Sequence, residues 1–227
     1  RLLSRWLSEI LADFWSVARV GIAAPMGLMA VVSLPRVFVF RISLDDPHPF
    51  PWIRVKIACA FGRTLWPDPQ WDGLARLWEQ FYPRSGLDPM RARVITLLEA
   101  TIPAFVGLVA HHRPRALRGA SLAEALRVQD RSPERLRALW AAWGRTPLLA
   151  PSTAPSLALA VLGQARADGV LPSEREGNDT ARLLTAWALR AALTYPPMHP
   201  LASARSPQIT RTGKSVRAVS RFNALTA

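Results

Sequence analysis

Apolar residues recur every three or four positions along most of this chain, which is the spacing of amphipathic helices. The opening segment, residues 1–18, shows the pattern with polar residues on the opposite side. Its apolar positions are Leu3, Trp6, Leu7, Ile10, Leu11, Phe14 and Trp15. The pattern predicts further helices over 52–66, 70–82, 88–112, 133–143, 155–168 and 179–195. We therefore expect an all-α fold, a multi-helix bundle with at most one short strand or extended arm.

Two helix starts carry specific capping signals. Ser121 is followed three residues later by Glu124, which predicts a capping box and a short helix. Ser132 precedes Pro133, a combination typical of an N-cap and a first helical turn. Both signals place a helix start within a residue or two.

The segment Val20–Leu34 is almost entirely apolar. As one helix it would rise only about 22 Å, against roughly 30 Å of hydrocarbon in a bilayer. Pro25 and two glycines also interrupt it. The segment predicts a buried hairpin of short helices, and a segment that dips into a membrane is the alternative.

The next segment, Arg36–Ser43, is rich in β-branched and aromatic residues, which predicts a short strand or an extended arm. Leu44–Pro51 follows, with prolines at three alternate positions. Because proline fixes its own φ and restricts the preceding residue, this stretch predicts a stiff loop.

Composition narrows the function classes. The 227 residues are 50% hydrophobic, which is enough for one domain with a real core. The single cysteine, Cys59, excludes an internal disulfide and a cysteine-rich metal site, and we expect it to be buried.

The net charge of the chain is +13. No acidic residue follows Asp179, so residues 196–227 predict a basic, mostly disordered tail. Without a recognisable RNA- or DNA-binding motif, nucleic acid is not an expected partner.

Two carboxylates on the first helix are the first candidates for chemistry. Glu9 and Asp13 lie four residues apart, on one helical face. On an exposed helix surface the repulsion within such a pair is mildly destabilising, and a nearby cation makes the arrangement stabilising. A solvated polar face is the ordinary interpretation of the pair.

The same residues fit a known motif. Glu9, Ala12 and Asp13 match the pattern E-x-x-A-D, and the segment resembles the second motif helix of gluzincin zinc peptidases of the HtpX-like and CAAX-prenyl-protease-like family. The resemblance implies that Glu9 is the third protein ligand of a zinc ion. It also implies that Asp13 bonds a ligating histidine and fixes its orientation.

A second motif follows in the family's order. His48-Pro49 is followed by Arg54, six residues after the histidine. By resemblance, His48 and Arg54 are catalytic groups that stabilise the oxyanion formed during peptide hydrolysis. The alternative for Arg54 is a surface arginine at a helix start, or a partner of Asp45 or Asp46.

The family's HExxH motif, which carries two zinc ligands and the general base, does not occur in these residues. The resemblance covers residues 1–66. It implies that residues 1–66 are the C-terminal part of a metallopeptidase core acting on peptides or proteins, with the HExxH segment upstream. Residues 67–195 are then a helical extension. The chain alone is expected to bind zinc poorly and not to hydrolyse peptides.

Two alternatives remain open. One is a non-enzymatic helical interaction module, and the other is a basic protein associated with a membrane surface or with nucleic acid. A cytoplasmic or membrane-associated location is favoured. The sequence contains no nucleotide-binding loop and no serine-nucleophile motif that would indicate another class of enzyme.

Overall fold

The computed structural model describes residues 2–145 and 149–194, and all regular structure within them is helical. Two 3-10 helices, Arg115–Leu117 and Val128–Arg131, accompany the α-helices. The α-helices are α1 (Leu2–Arg5), α2 (Leu7–Val20), α3 (Ala23–Val32), α4 (Arg36–Val39), α5 (Pro51–Leu65), α6 (Gln70–Phe81), α7 (Pro89–His111), α8 (Leu122–Ala125), α9 (Pro133–Arg145), α10 (Leu149–Ser152), α11 (Pro155–Ala167) and α12 (Ser173–Thr194). The predicted all-α fold is confirmed.

The two capping signals are also confirmed. The Ser121 hydroxyl accepts a hydrogen bond from the Glu124 N–H at 3.2 Å, and the Glu124 carboxylate accepts one from the Ser121 N–H at 2.7 Å. The Ser132 hydroxyl accepts from the Arg135 N–H at 3.4 Å, at the start of α9. Each bond satisfies a backbone donor that the first helical turn leaves without a partner.

The short strand or extended arm predicted at Arg36–Ser43 is wrong for its first half, because α4 occupies Arg36–Val39, and residues 41–43 have no regular structure. A single strand with no neighbour to pair with gains nothing from β-prone residues. Local contacts determine the conformation of this segment. The Arg36 guanidinium donates to the Pro83 and Ser85 carbonyls and lies over the Phe40 ring.

Helix α12 begins six residues before the predicted start at 179. Gly177 and Asn178 weaken the apolar pattern there, but Glu174 and Glu176 lie in the first turn, where carboxylates favour the helix dipole. Arg175 also pairs with Asp179 one turn later at 3.1 Å. These local charges extend the helix beyond its apolar stripe.

The apolar segment 20–34 forms a turn and one helix. Gly21 ends α2 with φ +60°, a conformation that favours glycine, and α3 then runs back against α2. Pro25 lies in the first turn of α3, where its missing N–H has no cost. Met29 is buried, whereas Val31 is 78% exposed. The segment is therefore half-buried rather than fully buried as predicted.

Two apolar clusters form the interior. The first includes residues from Trp6 to Val128 and draws on α2, α3, α5, α6 and α7. The second joins α9, α11 and α12 through residues such as Leu136, Val161 and Leu183. Residues on both sides of residue 66 belong to the first cluster, and the predicted functional division at that residue stays a prediction. Cys59 is buried as predicted, and burial raises the pKa of its thiol to about 12.

The chain divides into two compact units, residues 1–188 and 189–227, when residues are grouped by their contacts with one another. Of the second unit the structure describes residues 189–194, which are helical. The predicted basic tail, 196–227, lies outside the described residues.

Buried tryptophans make up much of the first cluster, and their indole N–H groups have carbonyl partners. Trp71 donates to the Trp66 carbonyl at 2.9 Å and Trp66 to that of Val128 at 3.0 Å. Trp78 donates to the Trp52 carbonyl at 3.2 Å. These bonds let large rings enter the core without leaving a buried donor unsatisfied.

One helix contact leaves no space for a side chain. Gly62 of α5 lies against the Trp71 ring of α6, and a Cβ atom there would be 2.3 Å from the nearest ring carbon. Gly73 of α6, by contrast, would meet no atom within 4 Å. The absence of a Cβ at residue 62 therefore sets how closely α5 and α6 approach.

We predict that Gly62→Ala lowers the free energy of unfolding by about 1–3 kcal/mol, because the Trp71 ring must shift within a packed core. The control Gly73→Ala is expected to raise it by up to about 1 kcal/mol through better helix propensity. Urea denaturation followed by circular dichroism measures both. Equal midpoints for the two variants would contradict the close approach.

Candidate functional site

The packing of α2 against α5 brings the predicted site residues together. The rings of Phe14 and Phe61 meet across this contact with centroids 5.0 Å apart. Glu9 and Asp13 lie on the edge of α2 that faces the first turn of α5, where Arg54 is placed. The helical spacing of two carboxylates and the position of one arginine thus create the site.

Arg54 binds both carboxylates. Its Nε donates to Asp13 Oδ2 at 2.7 Å and its Nη2 to Asp13 Oδ1 at 2.9 Å, which is the two-pronged geometry that a planar guanidinium favours. The same Nη2 lies 3.2 Å from Glu9 Oε2. One cation therefore bridges two carboxylates and neutralises one of their two negative charges.

These groups are largely withdrawn from solvent. The side chains of Asp13 and Arg54 are 14% and 19% exposed, and that of Glu9 is 30% exposed. The hydrogen bonds from Arg54 to Asp13 raise the pKa of the guanidinium above its ordinary value. Arg54 therefore stays charged throughout the accessible pH range and relieves the repulsion between Glu9 and Asp13.

His48 reaches the same place from the proline-rich loop. The Asp46 carboxylate accepts from the His48 backbone N–H at 2.9 Å, and the same oxygen lies 2.9 Å from His48 Nδ1. The backbone bond is the main reason that the pKa of Asp46 is lowered. The other ring nitrogen, Nε2, is directed to Glu9, with 3.8 Å between it and Oε1. That distance is longer than a hydrogen bond, so the two groups are neighbours without a direct bond.

The loop is anchored beside the start of α2. The Trp6 indole N–H donates to the Asp46 carbonyl at 3.3 Å. Phe50, at the end of the loop, is buried and meets the Trp6 ring edge-on with centroids 6.0 Å apart. Trp6 thus connects the loop that carries His48 to the helix that carries Glu9.

The four predicted site residues form one connected set, because Glu9 contacts both His48 and Arg54, and Arg54 in turn bonds Asp13. Pairing of Arg54 with Asp45 or Asp46, the alternative raised from the sequence, is wrong. The sequence interpretation missed Asp46 as the residue that orients His48. The spacing Asp-x-His, in which an Asp side chain accepts from the backbone two residues on, was the available signal.

The set fits only part of a zinc site. Glu9 Oε2 is engaged by Arg54, so Oε1 is the oxygen left for a metal, with His48 Nε2 as the nearest nitrogen. A catalytic zinc takes three protein ligands. Within residues 2–145 and 149–194 no cluster of three or more histidine, cysteine, aspartate or glutamate side chains is placed to hold a metal. Any complete site needs ligands beyond this set.

No protein-family model, curated protein or solved structure matches the chain. The gluzincin resemblance stands on two short motifs. The residues of the two motifs lie far apart in sequence and adjacent in space.

We predict that Arg54→Ala lowers the free energy of unfolding by about 2–3 kcal/mol, because two mostly buried carboxylates lose the guanidinium that bonds both of them. Arg54→Lys is expected to recover part of the loss, since an ammonium keeps the charge but not the two-pronged geometry.

The matched control is Arg63→Ala on the same helix. Arg63 pairs with Asp72, and both side chains are about half exposed, so the expected cost is at most about 1 kcal/mol. Urea unfolding at pH 7 compares the three variants. A loss for Arg54→Ala no larger than for Arg63→Ala would mean that the network contributes nothing to stability.

Proposed function

We propose that this chain supplies the carboxylate ligand and the transition-state groups of a zinc metallopeptidase of the gluzincin type. The observation that supports the proposal is the convergence of His48 and Arg54 on Glu9. Two motifs that are about forty residues apart in sequence meet at one carboxylate. An accidental match of two short patterns has no reason to produce that meeting.

Glu9 is the proposed ligand through Oε1, the oxygen that Arg54 leaves open. Arg54 holds the carboxylate in place from its other oxygen, and Asp13 holds Arg54. Asp13 accepts two bonds from Arg54, and each carboxylate oxygen has a second lone pair. Asp13 therefore keeps the capacity to orient a histidine ligand supplied by the HExxH segment, as the family pattern implies.

His48 is the proposed donor to the oxyanion of the scissile peptide. Asp46 fixes one side of its ring, so that Nε2 is presented toward Glu9. An N–H group at the Nε2 position would donate a hydrogen bond to negative charge that develops beside the metal. When bound, zinc supplies an activated water as nucleophile and polarises the peptide carbonyl. The general base and the two remaining ligands belong to the HExxH segment, which these residues do not contain.

The first test reads the coding sequence upstream of Arg1 and expresses the protein with any HExxH segment present. In that protein Glu9→Gln is expected to lower zinc occupancy at least about tenfold and peptide cleavage by at least about a hundredfold, because a neutral amide is a poor zinc ligand. Zinc is measured by mass spectrometry of the purified protein, and cleavage with an unstructured protein substrate.

The matched control is Glu134→Gln, a carboxylate in the first turn of α9 and outside the site. It should leave zinc occupancy and cleavage unchanged. The proposal is contradicted if the Glu9→Gln variant retains zinc and activity. It is also contradicted if no HExxH segment is encoded upstream.

A second candidate is a helical module that binds a membrane surface. Helix α7 is long and apolar enough to cross a membrane by length and composition, and most of it is not buried. Met90, Leu97 and Leu108 are 78%, 61% and 73% exposed, and their spacing places them on one face of α7. Beside α7 lies an apolar groove of about 680 Å³ that is shared with Leu11 and Trp15 of α2.

Flotation with vesicles that contain anionic phospholipid separates the two candidates. If the exposed face of α7 inserts, the protein floats with the vesicles, and the double substitution Leu97→Glu with Leu108→Glu reduces the bound fraction at least about fivefold through the cost of placing charge in the bilayer. Leu44→Glu with Leu184→Glu, two exposed leucines elsewhere, is the control. Absence of flotation by the unaltered protein rejects this candidate.

A further inference from the structure

Two arginines next to the C-terminal end of α2 lack carboxylate partners. All 16 acidic residues of the chain lie between Glu9 and Asp179, within the part that the structure describes. Among those described residues, none forms an ion pair with Arg19 or Arg131. By contrast, Arg127, Arg135 and Arg137, which lie close to Arg131 in sequence, each have such a partner.

The two guanidinium groups point to one hydroxyl. Arg131 is only 7% exposed, and its Nε donates to the Arg19 carbonyl at 3.1 Å. Its Nη2 lies 3.5 Å from Ser156 Oγ, and Arg19 Nη2 lies 3.5 Å from the same oxygen. Both contacts are at the long limit of a hydrogen bond, so two cationic donors share one weakly bound neutral acceptor.

The surroundings add positive charge. Asp130 is the nearest acid, and it is already engaged by Arg127 at 3.0 Å and by Arg135 at 3.3 Å. Burial, and then the charge of Arg19, lower the pKa of Arg131. The charges of Arg135 and Arg127 lower the pKa of Arg131 further, and the charge of Asp130 acts against them.

The acceptor itself sits at a positive helix end. Ser156 is the second residue of α11, a helix of 13 residues. The dipole of that helix adds partial positive charge at its N-terminus. The Arg19 carbonyl offers Arg131 a polar contact but no full negative charge. The combination of two unpaired cations, a hydroxyl and a helix N-terminus is the donor set that binds oxyanions.

We propose that Arg19, Arg131 and Ser156 form a binding site for a phosphate group, carried either by free inorganic phosphate or by a phosphate monoester. Three donors from α2, the second 3-10 helix and α11 approach one point, which suits a tetrahedral anion with several oxygens. A charge near −2 also offsets both unpaired arginines, whereas a carboxylate offsets one. The site is independent of the proposed peptidase site.

The test uses the full chain and compares melting temperatures in sodium phosphate and in sodium chloride of equal ionic strength. Phosphate stabilises many proteins by exclusion from their surfaces, so the difference between variants is the informative quantity. The unaltered protein should gain at least about 3 °C more than Arg19→Gln does, because only the former binds phosphate in its native state.

Arg19→Gln is preferred to an Arg131 variant because Arg131 is buried and its loss endangers folding. The control is Arg175→Gln, which removes the same charge from an arginine that pairs with Asp179. It should behave like the unaltered protein. Isothermal titration with inorganic phosphate should give one site per chain, with the dissociation constant weakened at least about tenfold by Arg19→Gln.

A parallel titration with methyl phosphate distinguishes the two sources. If the dissociation constant for methyl phosphate is within about threefold of that for inorganic phosphate, the site is assigned to phosphorylated ligands. If methyl phosphate binds at least about tenfold more weakly, a difference of about 1.4 kcal/mol in binding free energy, the site is assigned to free phosphate. Equal phosphate responses of the unaltered protein and Arg19→Gln would overturn the proposal.

Discussion

The bonds of Arg54 to two acids of α2 are the interaction on which the candidate site depends. Glu9 and Asp13 repel each other across one helical turn in a setting that shields them from water. A cation from α5 makes that arrangement stable, and it does so by bonding one oxygen of Glu9 and both of Asp13. Arg54 therefore links α2 to α5 beside the apolar contact of Phe14 with Phe61, so the site lies at the edge of the same helix packing.

Two different kinds of polar constraint shape this fold. Neutral donors of buried tryptophans are satisfied by backbone carbonyls in the first apolar cluster. Charged donors are satisfied by carboxylates, as at Arg54 and at Arg137, whose pKa is raised by its bonds to Asp168 and Asp68. Arg19 and Arg131 differ in that both approach the hydroxyl of Ser156 and not a carboxylate. An arginine-rich chain with few acids has to leave some cations unpaired, and the fold places two of them together.

The helices were predictable because apolar spacing and capping residues act locally. Ser121 and Ser132 mark helix starts through bonds to backbone groups three residues away, so no distant information is needed. The strand predicted at 36–43 was wrong because strand pairing depends on distant partners that a local pattern cannot reveal. The gathering of Glu9, Asp13, His48 and Arg54 was expected only through the family resemblance, since spacing within one helix says nothing about which arginine will meet it.

The loop that carries His48 is internally closed. Asp46 bonds the histidine on both its backbone and ring nitrogens, and Trp6 holds the Asp46 carbonyl. The contact between His48 and Glu9, at 3.8 Å, is the longest in the set, whereas Arg54 makes three close contacts with Glu9 and Asp13. Separating His48 from Glu9 therefore costs much less free energy than separating Arg54 from its two carboxylates.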